Sequence, residues 1–172
     1  FDDHCEHLIV SDLANGLVIG TYRLLTADAA RRIGGYYSDH EFDLSRLVDR
    51  RDGLLEVGRS CVHPDYRNGA TIALLWSGLA GFLLQSGHQA LIGCASIGLA
   101  GQEGAGALLA RELFRQNPSV ENLRVLPRRP LPMVATLDAS DIQSAVVSPL
   151  IKGYLRSGAV VCGEPCWDPD FQ

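Results

Sequence analysis

Glu56 sits inside an apolar run, Leu54–Val62, that it shares with Arg59, Ser60 and Cys61. A carboxylate in such a strand is rare unless it is paired. One reading is structural, an ion pair with Arg59 or Arg23. The other is chemical. An amine substrate arrives at neutral pH as ammonium, and a carboxylate in reach can take its proton directly or through water. The two are compatible, because an arginine partner would orient the base. Directly after this run come His63-Pro64-Asp65, then Tyr66-Arg67-Asn68-Gly69, and then a helical period. Ile72, Leu75, Trp76, Leu79, Phe82 and Leu83 make one apolar stripe. A strand that turns through a short glycine-containing loop into a helix gathers free backbone N–H groups at the positive end of the helix dipole. Arg67 at the mouth of that turn adds a fork that matches phosphate.

Other chemistry-bearing residues are scattered. Cys61 invites a covalent acyl-cysteine route, but strand alternation sets it on the face opposite Ser60, and sequence places no histidine to activate it. Asp2, Asp3, His4, Glu6 and His7 crowd the start of the chain. Cys5 and His7 alternate onto one face there without a second pair, and Cys162 and Cys166 stand as a lone C-x3-C, so no metal site is expected. Ser96, at the end of an apolar run, can donate a proton or cap the following loop. Tyr154 is a further possible acid. Arg124, Arg128 and Arg129, around Pro127 and Pro130, form a local basic patch.

The elements that must position these groups follow from the pattern. Phe1–Val10 ends in an apolar strand, Ser11–Gly16 carries the Asn15-Gly16 turn signal, and Leu17–Leu25 returns, so the two strands pair antiparallel. Thr26–Gly53 is irregular, with a helical turn over Ala27–Ile33 broken by Gly34-Gly35 and a charged amphipathic piece over Ser45–Arg50. Such segments are more often functional than idle. Gly87 ends the central helix, and Ala90–Ser96 reads as a short buried strand. Gly98–Gly106 reads as a loop, Ala107–Gln116 as a helix, and Leu123–Val134 as a proline-constrained connection. Ser140-x-x-Gln143 is a capping box. Pro149 opens a helical segment over Leu150–Ser157, and Ala159–Gly163 reads as a last strand. The order β-β-β-α-β-α-loop-α-β describes an α/β fold.

Bulk properties bound the answer. The chain has 172 residues, is 47% hydrophobic and 20% charged, and carries a net charge of −5. That suits one domain, residues 1–172, with a sizeable core, read here as part of a longer protein. No apolar run reaches the roughly 18 residues that span a bilayer. Of 15 cationic residues only Lys152 is a lysine. The acidic balance argues against nucleic-acid binding, and five cysteines, an odd number, suit a reduced cytoplasmic protein.

Val62-His63-Pro64-Asp65-Tyr66-Arg67-Asn68-Gly69-Ala70 resembles the signature of the GNAT superfamily of N-acyltransferases. Its usual turn is R-x-x-G-x-G/A; Arg67-Asn68-Gly69-Ala70-Thr71 departs from it in glycine content and by one position. Thr21-Tyr22-Arg23-Leu24-Leu25 with Glu56-Val57-Gly58-Arg59 resembles the acyl-homoserine-lactone synthases. The ordered set F-D-x-x-C-x-H-L, G-T-Y-R-L-L, E-x-G-R-S-C-V-H-P-D-Y-R, G-C-A-S and I-K-G-Y-L-R-x-G-A-x-V-C-G-E-P-x-W-D-P-D-F, running from Phe1 to Phe171, is similar to the bacterial ornithine-lipid N-acyltransferases.

This resemblance implies a GNAT-like mixed sheet flanked by helices, with the superfamily's N-terminal strand and helices outside the chain. It implies transfer of a 3-hydroxy fatty acyl group from acyl carrier protein to the α-amine of ornithine, giving lyso-ornithine lipid. Glu56 and Arg59 become catalytic residues. Ser60, Cys61 and Val62, where the strand would bulge, join Arg67, Asn68, Gly69, Ala70, Thr71 and Ser96 in binding the acyl-pantetheine thioester. Asp2, His7 and Arg23 become contacts to the amine substrate, and Arg128 and Arg129 dock the carrier. No tightly bound cofactor is implied, only the acyl-phosphopantetheine donor or coenzyme A. The place implied is cytoplasmic, peripheral at the inner membrane. Another amine acceptor, a coenzyme A-dependent acetyltransferase, and a non-catalytic lipid- or carrier-binding relative are the alternatives.

Overall fold

The computed structural model describes residues 1–98, 103–132 and 147–169. They divide into two compact units, one of Phe1–Tyr37 with Asp49–Cys94, the other of Ser38–Val48 with Ala95–Gln172.

The first unit is built on a four-stranded sheet in the order β1-β2-β4-β5. Strand β1 (Glu6–Ser11) and β2 (Val18–Thr26) form an antiparallel hairpin, as the Asn15-Gly16 signal predicts. Gly16 supplies the positive φ of that turn, and Asp12 fastens it by accepting from the Ala14 N–H and the Asn15 side chain. Helix α1 (Ala27–Ile33) starts where the Thr26 hydroxyl caps the Ala29 N–H and ends at Gly34 in the left-handed region. Strand β4 (Leu54–Val62) pairs antiparallel with β2 and parallel with β5 (Ala90–Ile92), which makes the sheet mixed.

Helix α3 (Ala70–Ser86) packs on β1, β2 and β4. Leu75 and Leu79 of its stripe are buried, with Thr71 beside them, and Ile72, Trp76, Phe82 and Leu83 are half-buried, against the face that carries Leu8, Gly20 and Tyr22. Gly20 is required there, because a Cβ would stand 2.7 Å from the Thr71 methyl and 3.0 Å from Leu75. Gly78 meets Leu8 in the same way. With Tyr22, Leu24, Leu25 and Leu55 almost wholly shielded, this interface holds the unit's core.

The second unit holds α2 (Ser38–Glu41), the short pair β3 (Phe42–Asp43) and β6 (Leu126–Pro127), α4 (Glu103–Gln116) and α5 (Pro149–Arg156). Leu109, Leu113 and Ile151 form its core, with Ile97, Val147 and Leu155 packed on them. Pro149 opens α5, as predicted, and Ser148 caps it.

Several elements differ from the sequence reading. The strand after α3 stops at Ile92, and its three residues are half-buried to exposed, because β5 is the outer strand of its sheet. Cys94 and Cys61 are exposed rather than shielded in apolar strands, and none of the five cysteines is in a disulfide. Helix α4 starts at Glu103, four residues before the predicted start, despite Gly104 and Gly106. Ala159–Gly163 forms no strand: only Val161 bridges, to the stretch Asn117–Ser119, whose Pro118 has no N–H to extend a ladder. Ser45–Gly53 is 3-10 helix. The capping box Ser140-x-x-Gln143 lies outside the described residues. Among the described residues no helix is long and apolar enough to cross a membrane.

Candidate active site

Rows of paired residues cross the sheet, and each row shares one face. One runs His7–Arg23–Gly58, the next Leu25–Glu56–Ile92. Arg23 and Glu56 therefore lie on the face opposite the one that Gly20, Tyr22 and Leu8 present to α3. Glu56 is 4% exposed. Its Oε2 accepts the backbone N–H of Tyr37 at 2.7 Å.

Arg23 is also buried, and its guanidinium donates to Asp2 Oδ1 at 2.6 Å. The Phe1 ring lies over it at 4.6 Å and the Tyr37 ring at 5.9 Å, and the two rings meet edge to face. The Asp2 side chain, 59% exposed, is the outward end of this clamp. The Arg23 hydrogen bond, with the charges of Arg23 and Arg59 behind it, holds the Asp2 carboxyl below the usual range despite some desolvation. Burial pushes the Cys5 thiol up, opposed by Arg23 and aided by Asp2 and Glu56. His7 Nε2 is 3.3 Å from the Asp2 carbonyl oxygen. Asp2, Cys5, His7, Arg23, Glu56 and Arg59, far apart in sequence, thus gather at one end of the sheet.

Pairing of β2 with β4 slips between Arg23–Gly58 and Thr21–Cys61, so Arg59 and Ser60 stand opposite Tyr22 alone. This β-bulge is one residue earlier than the expected Ser60-Cys61-Val62. Arg59 is its cause: φ is +51°, and it is the one non-glycine positive φ among the described residues. The bulge also resets the alternation. Cys61 pairs with Thr21 and so joins the face of Arg23 and Glu56. Cys61 and Glu56 face Thr21 and Leu25, four steps apart on β2 or about 13 Å, too far for both to touch one reacting carbon. On its other edge β4 pairs with β5 only as far as Glu56–Ile92. At the next step Gly93 comes so close that a Cβ would stand 2.4 Å from the Val57 carbonyl oxygen. The bulged half of β4 continues beyond the last β5 pair.

The turn after β4 is braced from several sides. Tyr66 donates its hydroxyl to Asp12 at 2.7 Å, and Arg67 Nε donates to the Val62 carbonyl. Asn68 Oδ1 accepts from the Ala70 N–H, and Gly69 takes a left-handed φ of +89° to open α3. Gly69 lacks a capping side chain, so first-turn N–H groups of α3 point outward from the turn. Thr71 differs from expectation in its side chain: the methyl packs on Gly20 and the hydroxyl bonds the Tyr66 carbonyl. What it can offer a ligand is its backbone.

Ser96, Arg128 and Arg129 belong to the second unit. Ser96 is exposed. Arg128 is tied down by Nε to the Asp39 carbonyl at 2.7 Å and by its N–H to Glu41, while Arg129 reaches solvent. Among the described residues no group of three His, Cys, Asp or Glu could hold a metal. Sequence reasoning missed Phe1, Tyr36 and Tyr37. The signal was an aromatic pair directly after Gly34-Gly35, inside a segment whose irregularity already stood out.

A buried carboxylate, an arginine clamp and a bulged strand that runs into a helix start make this end of the sheet the candidate site. Residues 1–77 match the acetyltransferase (GNAT) domain family. The chain is a homologue of proteins named L-ornithine N(alpha)-acyltransferase. That of Rhizobium meliloti (strain 1021) is 38% identical over 94% of this chain and 58% of its own length. That of Brucella abortus (strain 2308) is 36% identical over 94% and 61%. That of Rhodobacter capsulatus is 37% identical over 94% and 65%. The chain thus spans roughly three fifths of the curated relatives it matches. No solved structure matches it.

Proposed function

We propose that this domain transfers a fatty, 3-hydroxylated acyl group from an acyl carrier protein thioester to the α-amine of ornithine. The observation that carries the reading is Glu56, buried, oriented by a backbone N–H, and on the same sheet face as Arg23, which clamps Asp2, with the Arg59 bulge three residues further along the strand. The names of the homologues supply the amino acid.

In this scheme Glu56 takes one proton from the ornithine α-ammonium, directly or through a water. The freed nitrogen lone pair attacks the thioester carbonyl. A C–N bond forms, and the negative charge goes to the carbonyl oxygen. Backbone N–H groups freed at Arg59-Ser60 hold that oxyanion. The C–S bond then breaks, the pantetheine thiolate leaves and takes up a proton, and the amide nitrogen loses its second proton to solvent. Asp2, kept ionised by Arg23, faces the second ammonium of ornithine. Arg59 holds its carboxylate. Arg67, Asn68, Gly69, Ala70 and the backbone of Thr71 cradle the phosphate of the pantetheine arm.

The test offers ornithine, tyrosine, glycine and homoserine to the full-length protein, with acyl carrier protein or coenzyme A as donor, and reads products by mass spectrometry. N-acyl-ornithine from the carrier is expected. No N-acyl product with any amine overturns the proposal. Glu56→Gln keeps the shape and can still accept the Tyr37 N–H. It should lower the rate about 10²–10⁴-fold with the fold intact. Biological activity unchanged in Glu56→Gln, with carrier binding retained, would favour a non-catalytic carrier-binding role.

A further inference from the structure

The acid–base reading of Glu56 leaves unexplained why its carboxylate should hold one direction. The segment Gly34–Tyr37 provides the answer. Helix α1 ends where Gly34 and Gly35 both direct their N–H groups to the Ala30 carbonyl, with φ of +94° and +144°. That turn drops the Tyr36 ring into the core, 1% exposed. Its hydroxyl reaches the carbonyls of Arg51 at 2.9 Å and Leu54 at 3.1 Å. Leu54 begins β4 and lies two residues before Glu56, on the same side of the strand. The next residue, Tyr37, gives its N–H to Glu56 Oε2 at 2.7 Å while its ring flanks Arg23.

We propose that Tyr36 is a positioning residue: by anchoring to the start of β4 it holds the Tyr37 N–H on Glu56, and so aims the base at the amine. The inference rests on Glu56 acting as the base. A ring packed in a core would be structural if it only filled space. Tyr36 does more, because its hydroxyl ties a loop to the strand that carries the base, and the loop returns a hydrogen bond to that base. Misplacing a reacting group by an ångström can cost about 10²-fold.

The experiment is a double-mutant cycle in the full-length protein, with kcat and both KM values measured for Tyr36→Phe, Glu56→Gln and the double variant. Tyr36→Phe should lower kcat about 10–10²-fold with both KM values within a few-fold of wild type. In the Glu56→Gln background the same change should have little further effect, since there is no base left to aim. Gly34→Ala repeats the test by another route: its Cβ meets no atom within 4 Å, so only the left-handed turn is strained. It too should lose its effect when Glu56 is Gln. Thermal midpoints confirm that each variant is folded. Equal losses in both backgrounds, or a Tyr36→Phe protein as fast as wild type, would overturn the inference while leaving Glu56 as base. A Glu56→Gln protein near wild-type rate would overturn the base reading itself.

Discussion

Replacing Arg59 by glycine should make the protein more stable and nearly inactive. The left-handed φ of +51° costs an L-residue about 1–2 kcal/mol, and glycine removes that penalty. Glycine also loosens the unfolded chain, which takes back about 0.4–1 kcal/mol. Arg59 is exposed, so little packing is lost. The balance is a gain of about 0.5–1 kcal/mol, or roughly 1–4 °C in midpoint for a chain of this size. Activity should fall about 10²–10³-fold, the usual cost of losing one group that binds developing or fixed charge in a site. Arg59→Ala is the control. It removes the same guanidinium but keeps the strained backbone, so it should lose the same activity without the gain. Thermal unfolding followed by circular dichroism, with acyl transfer assayed in parallel, reads both sides. Alanine and glycine variants of equal stability would show that the bulge stores no strain. Either variant at wild-type rate would remove Arg59 from the site.

Three further outcomes are expected. Gly20→Val should destabilise by about 1–3 kcal/mol, because the added carbons must displace the Thr71 methyl and Leu75; a change under 0.5 kcal/mol in chemical denaturation would mean α3 can yield. Glu112 is held down at about 2, first by its hydrogen bond to Arg115 and then by Gln116. A depressed carboxylate contributes stability above its unfolded pKa, lost as pH falls through the folded one. The contribution should therefore fade between about pH 4.5 and 2, and Glu112→Gln should flatten that part of an acid-unfolding curve. If the exposed cations dock an acidic carrier, Arg129→Glu and Arg67→Glu should each raise the KM for the carrier and leave the KM for the amino acid alone. The wild-type reaction should also weaken with salt. Arg129 is the cleaner probe of its pair, since Arg128 is bonded to Asp39.

Local chemistry wrote much of the fold into the sequence. Asn15-Gly16 announced the hairpin, Leu54–Val62 the strand, the spacing from Ile72 to Leu83 the buried stripe of α3, and Pro149 the start of α5. Each is a short-range signal, set by turn geometry, side-chain period or a missing N–H. Glu56 stood out for the same reason, as a charge inside an apolar run. The motifs carried the resemblance.

What stayed hidden depended on which strands pair and in what register. Plain alternation sets Ser60, not Cys61, on the face of Glu56; the Arg59 bulge reverses this, because one extra residue opposite Tyr22 turns every later side chain over. Asp2 could be tied to Arg23 only once β1 lay beside β2. The bond from Tyr37 to Glu56 spans nineteen positions and comes from a backbone N–H, which any residue would supply. No residue type in the sequence can mark such a donor. Its place is decided by the Gly34-Gly35 turn and by the buried Tyr36 ring, which come to bear on Glu56 only when the sheet has formed.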